Sequence, residues 1–277
     1  VESHSDITGS LHVTVIVDSN VVKTAQKLHL KVTMGNGASF DLGELDYKGI
    51  QGDSPDESLM KWSFFDKDDP TILHCRIRVN AKGGNFPYIS VKDTLESPSV
   101  SYLKESLQIK KGKWELPAGG GYYTLKNEID VTNQFKPITY SGNSFTVRFN
   151  NIQGEGYAIK YDVKLGYTPV NQEKIKNRIF GETNGQVLIN TVVEATYQQS
   201  GGEANGYNYT IKIHKESEDG QNLKGAVFEV IRNSSHAKVG EITTDSNGNG
   251  SLGGLLKDNY TIREKKAPEG YIPLDSD

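Results

Sequence analysis

Apolar and polar residues alternate at period two along most of this chain, as in Lys27–Thr33 and Tyr209–Lys215. Such alternation is typical of strands that bury one face. Only Asn171–Arg178 has a pattern that predicts a helix, of one or two turns. The other predicted strands are Leu11–Val17, Leu59–Phe65, Ile72–Asn80, Tyr88–Asp93, Ser106–Ile109, Ser144–Phe149, Tyr157–Tyr167, Val187–Tyr197 and Leu223–Ile231.

Two polar segments divide these strands into three predicted domains. Gly49–Asp56 and the glycine-rich Gly201–Gly206 have the composition of linkers. Residues 1–56 hold too few strands for a sandwich and are interpreted as the tail of a preceding domain. Residues 57–203 and 204–277 each hold many short strands with glycine turns. This pattern predicts an all-β protein of tandem β-sandwiches.

A strand near the end of the chain carries an acid on its predicted inner face. Tyr260 and Ile262 alternate with polar residues, and the same alternation points Glu264 toward the core. The strand ends at the turn Ala267–Gly270, where proline and glycine favour a tight reversal. A buried carboxylate is costly unless it is paired or protonated. Glu264 is therefore a candidate for chemistry.

Composition limits the function classes. The 277 residues carry a net charge of −4 without a basic stripe, which argues against nucleic acid as a partner. No apolar run is long enough to cross a membrane. Cys75 is the only cysteine, so no internal disulfide is possible, and neither a metal site nor a cofactor is expected. The absence of a secretory signal at Val1 favours a mature or excised fragment.

Residues 209–271 resemble a Cna B-type domain, the prealbumin-like sandwich of Gram-positive pilins and adhesins. The resemblance rests on Ile213–Lys215, Leu223–Phe228 and Tyr260–Tyr271. It implies an isopeptide bond from Lys215, promoted by Glu264, to an acceptor on a final strand. Asp275 and Asp277 lie too close to the turn to be that acceptor. We therefore expect a domain that lacks its last strand and a bond that is unformed here.

Residues 57–203 resemble a Cna A-type domain, the immunoglobulin-like domain of collagen adhesins. The resemblance rests on Met60-Lys61, Ile89–Asp93, Tyr157–Val163 and Val187–Tyr197. In that family a first-strand lysine joins a last-strand asparagine, with an aspartate between them.

The resemblance maps these roles to Lys61, Asn190 and Asp93, while Thr191 and Asn171 are weaker alternatives for the acceptor. Burial favours a neutral amine and a protonated acid. A neutral amine can attack an amide that the acid polarises. Such a reaction is a single autocatalytic turnover, so the chain is not expected to be an enzyme in the usual sense.

The resemblance implies an extracellular adhesin, anchored to the cell wall or associated with a pilus. Its expected partner is a host extracellular-matrix protein of the collagen or fibronectin type, together with other pilus subunits. Met60, Arg76 and Arg78 stand where collagen-binding relatives have aromatic and amide residues. Trp114, Tyr122 and Tyr123 form a second candidate aromatic patch, for which core packing is the alternative.

The alternative function is a structural pilin or stalk module without a ligand. The chain lacks both a Tyr-Pro-Lys-Asn motif and a Leu-Pro-x-Thr-Gly sorting signal, which favours the adhesin. A hydrolase is disfavoured, because the six histidines are scattered and no nucleophile–histidine constellation is present.

Overall fold

The computed structural model describes residues 26–33, 35, 37–47, 58–118, 121–199 and 206–272. The chain divides into two compact units, residues 1–57 with 115–124 and residues 58–114 with 125–277. In the first unit, β1 (Gln26–Thr33) and β2 (Ser39–Tyr47) form an antiparallel hairpin. The predicted strand Leu11–Val17 lies outside the described residues.

The second unit begins with a sandwich of two five-stranded sheets. The first sheet has the order β3-β4-β10-β6-β7, and the second has the order β12-β11-β5-β9-β8. The strands are β3 Met60–Phe65, β4 Ile72–Val79, β5 Asn85–Leu95, β6 Val100–Glu115, β7 Thr124–Asp130, β8 Thr139–Ser141, β9 Ser144–Gln153, β10 Gly156–Leu165, β11 Lys174–Thr183 and β12 Gln186–Thr196. One 3₁₀ turn, Thr132–Phe135, follows β7.

The core of this sandwich lies between its two sheets. Strand alternation places Leu73, Cys75 and Ile77 of β4 inside, with neighbouring residues exposed to different degrees on the other face. The second sheet contributes inward residues such as Ile89 and Val91 of β5. The all-β prediction is confirmed, and burial of these alternating side chains is the main stabilisation expected for the sandwich.

The helix predicted at Asn171–Arg178 is wrong. Residues 171 and 172 form a turn, and the remainder begins strand β11, which pairs with both β5 and β12. Inside the strand, Ile175, Asn177 and Ile179 are buried at every second position. This is the period of a strand, so pairing on both sides of β11 outweighed the weak helical preference of the segment.

The second unit continues with five shorter strands in two sheets. They are β13 Tyr209–His214, β14 Val227–Arg232, β15 Ala237–Thr243, β16 Asn249–Leu255 and β17 Tyr260–Lys266. Strand β13 pairs with β16, and the other sheet has the order β15-β14-β17. Buried Ala226, Val230 and Ile242 contribute apolar side chains to this part of the core. Residues 200–205, where the second linker was predicted, are outside the described residues.

Candidate functional site

Lys61 and Asp93 meet in the core of the first sandwich. Lys61 lies opposite Ile77 on β3, in one sheet, and Asp93 lies opposite Ile179 on β5, in the other. Both side chains are 0% exposed, and Lys61 Nζ donates a hydrogen bond to Asp93 Oδ2. The structure thus brings together two of the three residues that the sequence assigned to this site.

Two tyrosines complete the hydrogen bonding of Asp93. The hydroxyl of Tyr161 donates to Asp93 Oδ2 at 2.6 Å, and that of Tyr102 donates to Asp93 Oδ1 at 2.8 Å. Burial, followed by the nearby Asp93 charge, raises the pKa of both hydroxyls above the usual range. Both tyrosines therefore keep their protons at neutral pH and can donate to the carboxylate.

Asn177 is the amide at this site, and sequence analysis missed it. Its residue is 1% exposed, and Nδ2 donates to the hydroxyl of Tyr161 at 3.2 Å. Its carbonyl oxygen is buried without a hydrogen-bond partner. The expected helix concealed this residue; a strand at Lys174–Thr183 puts Asn177 on the inner face. The alternation Ile175, Asn177, Ile179 was the signal that could have found it.

Asn190, the acceptor expected from the resemblance, lies elsewhere. It is exposed on β12 opposite Phe180, and its Oδ1 accepts a hydrogen bond from Arg178 Nη1 at 3.1 Å. Since Lys61 is fully buried, an exposed side chain cannot be its partner in this structure. Thr191 is exposed too, and Asn171 Oδ1 accepts from the backbone of Gln199. The sequence assignment of the acceptor is therefore corrected to Asn177.

Cys75 borders the same site. Its side chain is completely buried, Ser63 Oγ donates to Sγ at 3.2 Å, and Asn177 Nδ2 lies 4.0 Å from Sγ. Burial raises the pKa of this thiol, so the reactive thiolate is disfavoured. The neighbouring His74 lies on the opposite face of β4, as expected from strand geometry.

Lys215 and Glu264 are also brought together, in the last part of the chain. Lys215 Nζ lies 3.4 Å from Glu264 Oε1, and the Glu264 side chain is only 5% exposed. Glu264 pairs with Phe228 in the sheet, and Lys215 Nζ lies 5.9 Å from the centre of the Phe228 ring. Asp275 and Asp277 are outside the described residues, so the role of this pair remains a prediction.

An aromatic and basic group covers the outer face of β3 and β4. Trp62 is 38% exposed and Phe64 is 47% exposed. The guanidinium of Arg76 lies 5.6 Å from the centre of the Phe64 ring, and His74 lies 5.2 Å from the same ring. We call Trp62, Phe64, His74 and Arg76 the β3–β4 outer face.

The ligand residues expected from the sequence are divided by this geometry. Arg76 is partly exposed, but Arg78 is buried and donates to Met60 Sδ at 3.4 Å. In the second expected patch, Trp114 donates through Nε1 to Val79 O at 3.1 Å and packs against Gly156, which favours its structural interpretation. Tyr122 is exposed.

Two further searches cover only the described part of the chain. No group of three or more histidine, cysteine or acidic residues there has the arrangement of a metal site. No helix among those residues combines the length and apolarity needed to cross a membrane.

Comparison with known proteins gives one family match and several more distant likenesses. Residues 209–277 match the family described as SpaA, prealbumin-like fold domain. The serine-aspartate repeat-containing protein F of Staphylococcus epidermidis is 28% identical over 216 residues. The match covers 69% of this chain but only 12% of that relative, so the chain spans about an eighth of its length.

Two solved structures have a related chain course. The collagen-binding domain from a Staphylococcus aureus adhesin aligns with a TM-score of 0.36 and 17% identity, over 51% of this chain and 97% of that one. The T6 backbone pilin of Streptococcus pyogenes aligns with a TM-score of 0.31 and 18% identity, over 78% of this chain and 50% of that one. Likenesses this low assign no ligand.

Residues 209–277 are thus a prealbumin-like SpaA domain, and the chain as a whole is similar to the surface adhesins and pilins of Gram-positive bacteria.

Proposed function

We propose that this chain is part of a cell-surface adhesin whose first sandwich forms an internal Lys61–Asn177 isopeptide bond and binds a host extracellular-matrix ligand. The observation that carries the proposal is the buried contact of Lys61 with Asp93, beside the amide of Asn177. Neither charge is exposed to water. Keeping an ion pair in a core is costly, whereas an amide formed from the amine removes one of the charges.

The reaction is an amide exchange between neighbouring side chains. A proton passes from Lys61 to Asp93 along their hydrogen bond, which leaves a neutral amine. The amine attacks Cγ of Asn177, the new carbon–nitrogen bond forms, and the amide nitrogen leaves as ammonia. Asp93, once protonated, can also polarise the carbonyl under attack. The fold supplies proximity, which can lower such a barrier by about 7–11 kcal/mol.

The product would tie the two sheets of the sandwich together. Lys61 belongs to the sheet that contains β4 and β10, and Asn177 belongs to the sheet that contains β5 and β12. By analogy with a disulfide that closes a loop of about 100 residues, the entropic stabilisation is about 4–5 kcal/mol. An amide resists reduction, which suits a surface protein whose only cysteine is buried.

Intact mass tests the cross-link. The wild-type chain should weigh about 17 Da less than its sequence mass, because one ammonia is lost. Asn177→Ala and Asp93→Ala should each restore the full mass, while Asn190→Ala should keep the loss. An unmodified mass for the wild type would overturn the proposed bond.

The proposed ligand surface is the β3–β4 outer face. Large aromatic side chains and arginine are enriched where proteins bind partners, because they combine apolar area with polar recognition. Trp62 and Phe64 are both exposed there, beside the partly exposed Arg76. An extracellular-matrix protein of the collagen or fibronectin type is the proposed class of ligand.

Binding to immobilised matrix proteins tests this surface. Trp62→Ala with Phe64→Ala should reduce wild-type binding at least ten-fold, since two exposed anchors are removed. Val187→Ala, at an exposed valine of the other sheet, is the matched control and should bind like the wild type. Wild-type protein that binds no matrix protein would favour the alternative, a structural pilin or stalk module.

A further inference from the structure

The hydroxyl of Tyr161 lies where all three partners of the proposed cross-link meet. It donates to Asp93 Oδ2 at 2.6 Å and accepts from Lys61 Nζ at 2.6 Å and from Asn177 Nδ2 at 3.2 Å. Among the described residues, the hydrogen bonds of Asp93 go to Lys61 and the two tyrosines, not to Asn177. Tyr161 therefore bridges the acid and the leaving nitrogen.

The leaving nitrogen needs a proton that Asp93 does not reach directly. An amide nitrogen leaves readily only as ammonia, so a general acid must protonate Nδ2 as the bond to Cγ breaks. Two groups are within reach of Nδ2, the Tyr161 hydroxyl at 3.2 Å and the Cys75 sulfur at 4.0 Å. Only the hydroxyl is also bonded to Asp93 and Lys61.

We propose that Tyr161 is the proton relay of the isopeptide reaction, passing a proton from Asp93 to the departing nitrogen of Asn177. This inference rests on the cross-link proposed above. The hydroxyl gives its proton to Nδ2 while it takes one from the Asp93 carboxyl, so Tyr161 ends in the form in which it began.

The protons and bonds balance without a further reactant. The bond from Lys61 Nζ to Asn177 Cγ forms, and the bond from Cγ to Nδ2 breaks. The ammonium of Lys61 starts with three protons and retains one in the new amide. One of the others completes the ammonia, and the second remains on Asp93 or leaves with the ammonia as ammonium.

The environment of Tyr161 suits a relay. Burial, followed by the charge of Asp93, raises the pKa of its hydroxyl well above the usual value, so the group stays neutral and can both donate and accept. Its ring packs edge-to-face on Phe145 with centroids 5.0 Å apart, and lies 5.8 Å from the ring of Tyr102. Those contacts hold the hydroxyl in position.

Tyr102 provides a matched comparison within the same site. Its hydroxyl also donates to Asp93, and its other hydrogen bond goes to the backbone oxygen of Asn143. Removing this hydroxyl takes one donor from Asp93 and leaves the contacts of the Asn177 nitrogen unchanged. A relay and a mere support for the carboxylate thus predict different results for the two tyrosines.

The test follows cross-link formation by intact mass during cell-free synthesis of the whole chain. Tyr161→Phe should slow the loss of ammonia by about 100-fold, in the range of general acid catalysis. Tyr102→Phe should slow it only a few-fold, and Cys75→Ala should have no large effect. Tyr161→Phe protein that reacts as fast as the wild type would overturn the relay. Wild-type protein that loses no ammonia would instead overturn the underlying cross-link.

A second measurement covers the case in which Tyr161→Phe does not fold. Site-specific fluorotyrosine at position 161 keeps the ring and the hydroxyl but makes the hydroxyl more acidic. The pH profile of the cross-linking rate should shift for fluorotyrosine at position 161 and not for fluorotyrosine at position 102. Identical profiles for the two proteins would overturn the relay, because a structural tyrosine at either position would leave the profile unchanged.

Discussion

The guanidinium of Arg232 and the carboxylate of Glu173 form a buried two-point ion pair between strand β14 and the turn before β11. Arg232 Nη2 donates to Glu173 Oε2 at 2.9 Å, and Nη1 donates to Oε1. Asp258 and Tyr167 complete the group, since Arg232 Nε donates to Asp258 at 2.6 Å and Tyr167 donates to Glu173. The pair joins the first sandwich to the SpaA domain through a fully hydrogen-bonded set of charges.

Replacing Arg232 by methionine should lower the free energy of unfolding by about 3–5 kcal/mol, because Glu173 and Asp258 would keep buried charges without their partner. Urea unfolding at neutral pH measures the change. Arg263→Met is the control, since Arg263 pairs with Glu229 at the surface and should have little effect. Equal losses for the two variants would contradict this role of the buried pair.

Asn177→Ala should lower the unfolding free energy by about 4–5 kcal/mol beyond the ordinary cost of a truncated side chain, because the unfolded chain regains the freedom of the cross-linked loop. The measurement is a urea titration of the variant beside Asp93→Ala. Both variants lack the bond, so both should lose this stabilisation. Asn190→Ala, at an exposed amide, should unfold like the wild type.

The pH dependence of stability should change when His74 is replaced by glutamine. Burial lowers the pKa of His74, but its hydrogen bonds to Asp162 and Asp66 outweigh this, and the net pKa is raised above 6.5. Arg76 opposes the shift only weakly. A raised pKa stabilises the fold fully below about pH 6.5, and this stabilisation is lost as the pH rises through the folded pKa.

Unfolding measured from pH 5 to 9, roughly the range that brackets a histidine, should therefore show a loss of stability in the wild type that His74→Gln lacks. Asp162→Asn should weaken the same dependence. Asp66 acts at the other end: backbone hydrogen bonds from Asp69 and the side chain of His74 lower its pKa to about 2, so its contribution is lost as the pH falls from 3.8 toward that value. Identical slopes for wild type and His74→Gln would refute the histidine contribution.

Gly156→Ala should destabilise the sandwich by about 1–3 kcal/mol, because the added methyl group overpacks the site. A Cβ at Gly156 would lie 2.2 Å from Cδ1 of Trp114, whose ring is held by its hydrogen bond to Val79. In a Trp114→Ala background the same change should cost much less. A double-mutant cycle by thermal unfolding measures this coupling, and simple additivity would argue against the contact.

The sequence by itself determined the all-β class and several strands of the two sandwiches. Period-two alternation is a local property, so segments such as β4, β10 and β13 could be predicted without knowledge of their partners. The glutamate of the last strand could be predicted as well: Glu264 has a buried side chain beside Lys215. Ile262, on the same predicted face, is nevertheless 40% exposed, because alternation cannot tell which part of a face is covered.

Only the tertiary structure decided which amide joins Lys61 and Asp93. Asn190 and Asn177 lie on adjacent strands, and both strands alternate, but β12 is at the edge of its sheet while β11 is paired on both sides. The inner face of the interior strand directs Asn177 between the sheets, whereas Asn190 faces solvent. Which residues face one another across a sandwich depends on the stacking of two sheets, and stacking is set by contacts between residues distant in sequence.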